Sequence, residues 1–138
     1  MREVVARFIT ACDEVEKTLK LEGTQFMHND HHGFILTCPS NLGTGLRAGA
    51  MAKLPKVSGR KDWKILLDKM KLQARGMGGV DSDSKGGIWD VSNADRIGKG
   101  EVDLVNILIE GLAQLVRWES AMDHGKNVDA EIEAVLRS

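Results

Sequence analysis

Glycine, rather than proline, divides this chain. Fifteen glycines stand against two prolines, and there is no tyrosine. Turn information is therefore carried mainly by glycine, whose missing Cβ opens the positive-φ backbone that tight turns need. Five of the glycines fall in a loop at 76–87, and two more in the turn-rich run P-S-N-L-G-T-G at 39–45. Both fall between apolar segments, so they mark the junctions of short secondary-structure elements.

Apolar spacing fills in what lies between. Val4, Phe8, Cys12, Val15 and Leu19 recur at helical period and predict an amphipathic helix over 2–20, with Gly23 as its stop. That spacing places Cys12 on the helix's apolar side with Phe8 and Val15, where it should be shielded. G-F-I-L-T-C at 33–38 reads as a buried strand, and 46–54 as another. Small residues at Ala48, Gly49 and Ala50 in the second suit a close backbone approach. Trp63, Leu66, Leu67 and Met70 predict a helix over 60–71, followed by extended chain at 72–75 and a short strand at 87–92. A long helix begins near Gly100, with Val102, Val105, Ile109, Leu112 and Val116 as its apolar face, and a terminal helix spans 128–136. Trp63, Trp89 and Trp118 are expected in the core or on a helix face. Strands separated by single helices and short loops give an α+β fold, a small antiparallel sheet with flanking helices. The 138 residues suit one domain, 1–138.

Charge and composition exclude several classes. Nineteen basic residues against twenty acidic ones leave a net charge of −1, so nucleic acid is not an expected bulk partner. No apolar run has the length of a membrane span, and M-R-E-V-V-A-R-F has no signal-peptide core. Two cysteines, Cys12 and Cys38, are too few for a disulfide framework, and a reducing, cytoplasmic location is the default expectation.

Three places offer chemistry. Cys38 stands at a predicted strand end, before Pro39 and a glycine-rich turn. Ser40 and the turn amides are candidate donors to a thiolate there, and Arg47 adds positive charge. The competing reading is a buried, inert cysteine, the commoner state of a free thiol. Arg75 opens R-G-M-G-G-V, where flexible amides and a guanidinium fork suit one phosphate group; the competing reading is a solvated arginine on a surface loop. The loop matches neither the Walker sequence nor a dinucleotide fingerprint. His28, Asp30, His31 and His32 are residue types that bind zinc or nickel, but their spacing fits no familiar finger and no Cys-x-x-Cys accompanies them, so no metal site is assigned.

The run L-T-C-P-S-N-L-G-T-G-L-R, residues 36–47, resembles the signature of the phosphagen (ATP:guanido) kinases. Three more stretches agree in order and spacing: F-M-x-N-x-H-x-G at 26–33, L-Q-x-R-G-x-G-G-V-D at 72–81 and D-V-S-N-A-D-R-I-G at 90–98. The resemblance covers essentially the whole chain, and R-G-x-G-G-V-D is more like creatine kinases than arginine kinases. It implies the C-terminal part of a catalytic domain that transfers a phosphoryl group reversibly between Mg-ATP and a small guanidino compound. The Mg2+ would be held mainly through the nucleotide (ATP or ADP). By the same resemblance Arg47 and Arg75 match phosphate-binding arginines. Gly76, Met77, Gly78, Gly79 and Val80 match the loop that folds over the nucleotide, and Asp90 an acidic nucleotide contact. Cys38 matches the reactive cysteine beside the guanidino group and Ser40 its hydroxyl neighbour. Val80 also matches a contact to the substrate's alkyl part.

Two departures bear on activity. Family enzymes are much longer, and Met1 matches an interior methionine. Further phosphate-binding arginines and the carboxylates that orient the guanidinium are therefore expected to be missing from these 138 residues. Met51 stands where many relatives carry a histidine near adenine, which leaves nucleotide preference open. Two alternatives follow: a non-catalytic nucleotide- or anion-binding module, and a self-associating domain that pairs through exposed sheet edges.

Overall fold

The computed structural model describes residues 2–76 and 86–137, arranged as two compact units, Met1–Gly45 and Leu46–Ser138. Met77, Gly78, Gly79 and Val80, with the rest of 77–85, lie outside the described residues.

In the first unit, helix α1 runs Arg2–Leu21, within a residue of the predicted bounds. It ends at Gly23, whose φ of 72° lets Thr24 N–H fold back onto the Leu19 carbonyl at 2.9 Å. The predicted apolar stripe is present but not covered: Phe8 and Val15 are about half exposed, and no α1 residue is buried. The expected shielding of Cys12 is thus only partial; it is half-buried. Spacing shows which face is apolar, whereas burial needs something packed on that face, and within this unit no other element does so extensively.

A two-residue hairpin follows, β1 His28–Asn29 antiparallel to β2 Gly33–Phe34. The predicted strand at 33–38 is therefore corrected to a much shorter one. Ile35 N–H still reaches the Met27 carbonyl at 2.9 Å. The chain then leaves the ladder and turns through a short 3-10 segment at Pro39–Asn41. Gly33 explains the tight local path. Its φ is 71°, and a Cβ there would stand 2.4 Å from the Gly43 carbonyl oxygen, so only glycine fits where the two segments meet.

The second unit is built on a three-stranded antiparallel sheet in the order β3-β5-β4 (Gly49–Lys53, Ile88–Asn93, Leu72–Arg75). The predicted strand at 46–54 starts only at Gly49, because β5 ends at Asn93, whose side chain takes over the Ala48 N–H at 2.8 Å. Helix α2 (Pro55–Ser58) was not predicted, although Pro55 at its first turn was the available signal. Helix α3 is Trp63–Lys69, shorter than expected, and stops at Lys71 with φ 56°.

Helix α4 spans Glu101–Asp123 and α5 Asp129–Arg137. The apolar face assigned to α4 is corrected. Val102, Ile109 and Val116 are 73%, 41% and 49% exposed and Val105 is half-buried; Leu112 of the expected set does pack against the core, while Leu104, Leu108, Gly111, Leu115 and Trp118 are buried. Close packing decides between the two stripes: a Cβ on Gly111 would fall 2.7 Å from Leu72 Cδ1, so glycine lets the helix lie against β4. The core joins Leu54, Val57, Leu66, Val91, Leu108, Leu115, Trp118 and Ile132. Trp63 and Trp118 are buried as expected, and Trp89 packs partly buried beside Trp63. Glu119, buried, accepts the backbone N–H of Lys56 at 3.0 Å and of Val57 at 2.8 Å, fastening the first turn of α2 to α4.

Candidate phosphate site

Pairing register gives the sheet of the second unit two different faces. Residues directly opposite one another share a face, and successive residues alternate. Ala50, Val91 and Ala74 form one row, and Ala52 opposes Trp89; these belong to the core. On the other face Met51, Asp90 and Arg75 form a row across all three strands, and Gly49, Ser92 and Gln73 form the next. The second face thus carries the polar groups.

Arg47 joins them from just before β3. Its Nη2 donates to Asp90 Oδ2 at 2.8 Å, with both side chains about 30% exposed. Room for that carboxylate comes from Gly49, where a Cβ would approach Asp90 Oδ1 to 3.1 Å. Arg75 donates from Nη2 to Gln73 Oε1 at 3.1 Å along its own strand. A third guanidinium completes the group. Arg96 is 7% exposed, and its Nη1 donates to the carbonyls of Asn93, Ala94 and Asp95 at 2.7, 3.1 and 3.0 Å. Burial, with the nearby charges of Arg47 and Arg75, pushes Arg96 below the ordinary arginine pKa, against an opposing pull from Asp95. Arg47, Arg75 and Arg96 each keep a buried Nε without a protein partner, as does the Ser92 hydroxyl. Buried donors left open cost free energy unless an acceptor arrives. An oxyanion supplies several acceptors at once.

Of the residues singled out in the sequence, Arg47, Arg75 and Asp90 come together here, and Gly76 is buried where β4 ends. Cys38 and Ser40 belong to the first unit. Cys38 is exposed and precedes the 3-10 segment, and its side chain makes no capping bond to that turn's amides. Arg96 and Asn93 were not recognised as site residues. Both lie inside D-V-S-N-A-D-R-I-G, but nothing in the sequence shows that this arginine folds back onto three carbonyls. His28, His31 and His32 are exposed; His28 lies edge-on to Phe34, and His31 to His32. Among the described residues, no cluster of three or more His, Cys, Asp or Glu is placed to hold a metal ion, and no helix is long and apolar enough to cross a membrane.

The chain matches the family described as ATP:guanido phosphotransferase, C-terminal catalytic domain, over residues 1–122. It belongs to the phosphagen kinases. It is 46% identical over 129 residues to the testis creatine kinase of Oncorhynchus mykiss, covering 94% of this chain and 34% of that protein. It is also 46% identical over 130 residues to the arginine kinase of Stichopus japonicus, covering 94% and 35%. A crystal structure of lombricine kinase superposes with a TM-score of 0.84 at 35% identity, over 91% of this chain and 35% of that one. The fold is thus the expected mixture of helices and small antiparallel sheets, that of a phosphagen-kinase C-terminal catalytic domain. The chain spans about a third of the length of these relatives.

The two thiols of this phosphagen-kinase chain should differ in reactivity, because Cys38 is exposed and Cys12 half-buried. Brief iodoacetamide treatment followed by peptide mass spectrometry is expected to find the label first on Cys38. Preferential labelling of Cys12 is the opposite outcome.

Proposed function

We propose that the polar face of the β3-β5-β4 sheet grips the phosphates of ATP or ADP in a phosphoryl transfer to or from a small guanidino compound. The observation that carries this is the gathering of Arg47, Arg75 and Arg96, each with an open, buried Nε, beside Asp90. Phosphoryl transfer asks little covalent chemistry of a protein; it needs in-line positioning and cationic stabilisation of spread negative charge. Guanidinium groups supply that charge with a planar fork of donors. Mg2+ would enter this reading with the nucleotide, where it would supply further positive charge against the phosphates. Asp90, by resemblance a nucleotide contact, holds Arg47 in place between ligands. Cys38 and Ser40 belong by resemblance to the guanidino side, and Gly76, Met77, Gly78, Gly79 and Val80 to the loop over the nucleotide. Equal identity to a creatine kinase and an arginine kinase supports the guanidino class and leaves the particular compound open.

The 138 residues alone are proposed to bind nucleotide phosphates without turnover. A jointly positioned charge cage is strongly non-additive, so a part of it keeps binding and loses nearly all rate. Calorimetric titration with MgADP, beside a coupled ATP-formation assay using phosphocreatine, phosphoarginine and related phosphoguanidines, tests both halves. Binding that disappears in Arg75→Ala, with no turnover, is the expected pair of results. Absence of ADP binding overturns the phosphate-site reading. Turnover by the verified 138-residue chain that vanishes in Arg75→Ala keeps the family chemistry and removes the claim of inactivity.

A further inference from the structure

Arg47 lies outside the backbone ladder that fixes Asp90 and Arg75. Strand β3 begins at Gly49, two residues later. Its two neighbours are held by one side chain. Asn93, the last residue of β5, has no exposed surface and faces the core side of the sheet, opposite Leu72. Its Oδ1 accepts the Ala48 N–H at 2.8 Å, and its Nδ2 donates to the Leu46 carbonyl at 3.1 Å and the Asp95 carbonyl at 2.8 Å. The amide thus clasps the backbone immediately before and after Arg47. The Asn93 carbonyl in turn accepts the Arg96 guanidinium at 2.7 Å, so one residue links two of the three arginines.

We infer that Asn93 is a positioning residue for the phosphate site: it never touches the anion, and it sets the direction of Arg47 through the peptide groups on either side. This rests on the phosphate-binding role proposed for Arg47. A primary amide suits the task because it offers an acceptor and two donors with no charge to bury. Alanine offers neither. Aspartate keeps the acceptor for Ala48 and sets an oxygen against two carbonyl oxygens.

The test is calorimetric titration of the 138-residue chain with MgADP, well below each variant's unfolding midpoint. Asn93→Ala and Asn93→Asp are each expected to weaken ADP about tenfold, the scale of a mispositioned charged hydrogen bond. Val91→Ala, a core change on the same strand, should lower the unfolding midpoint and leave ADP affinity as in wild type. In an Arg47→Ala background, Asn93→Ala should cost no further affinity, because its effect passes through Arg47. Wild-type affinity in either folded Asn93 variant overturns the inference. So does an additive loss in the double variant, or an equal loss in Val91→Ala, since these mark a general structural role. A wild-type chain that binds no ADP overturns the phosphate-site reading itself, a result distinct from any of these.

Discussion

Replacing Arg47 by alanine is expected to weaken ADP binding by roughly 10- to 100-fold, the equivalent of about 1.5–3 kcal/mol for hydrogen bonds to a charged partner. The loss is larger than for an ordinary surface arginine because Asp90 remains. In the structure Asp90 is paired with Arg47 at 2.8 Å. Without that partner its carboxylate loses its ion pair beside the proposed phosphate site, and like charges repel. Arg47→Lys should recover only part of the affinity, since an ammonium keeps the charge and loses the planar fork. Asp90→Asn separates the two sides of the pair. Inorganic pyrophosphate, which has no base or sugar, should bind more tightly because Arg47 is released. ADP should gain less or lose, because the acidic contact proposed for it is gone. Titration of both ligands against the three variants gives the answer. Unchanged ADP affinity in Arg47→Ala would remove this arginine from the site.

Trp118→Ala is expected to cost about 3–5 kcal/mol of stability, the usual range for emptying a buried aromatic site. Trp118 is 1% exposed and the largest of the fully buried side chains. Its indole Nε1 also donates to Glu131 Oε2 at 3.0 Å, linking α4 to α5. That bond, with help from Arg117, holds the Glu131 carboxyl below the ordinary carboxylate range. Against a typical total of about 5–15 kcal/mol, the loss takes a large share of the folded state's margin. The thermal midpoint should drop by roughly 10 °C or more. Trp118→Phe retains most of the volume and gives up the indole bond, so it should fall between. Circular dichroism melts of the three proteins decide this, and a midpoint for Trp118→Ala within a degree or two of wild type would contradict it.

Local pattern and tertiary choice parted company at identifiable residues. Helix α1, the extended chain at 72–75 and helix α5 were legible because their spacing and end signals agree. The strand at 87–92 appeared shifted by one residue, as Ile88–Asn93. Helix α4 was legible in length and not in orientation. Val102, Ile109 and Val116 repeat at the same period as Leu104, Leu108 and Leu115, so periodicity cannot choose between the stripes. The choice is made by contact between Gly111 and Leu72, which are far apart in sequence. The strand expected at 33–38 was read from apolar content, yet strand length depends on having a partner, and β1 supplies only two residues. At the site, Arg47, Arg75 and Asp90 were legible through motif resemblance. Arg96 was not, because its burial arises from a backbone turn that lets one guanidinium reach three consecutive carbonyls. The polarity of the sheet's second face was also hidden, since it follows from register rather than composition.

The register has a consequence for folding fidelity. Strand β5 alternates Trp89, Val91 and Asn93 toward the core with Asp90 and Ser92 toward the polar face. A slip of one residue against either neighbour would turn Asp90 inward, away from Arg47, and leave Val91 among the arginines. An error in assembly would then bury an unpaired carboxylate and strand a cluster of like charges together. Each mistake raises the energy of the misregistered chain, so the groups assigned to the ligand also proofread the sheet while it forms.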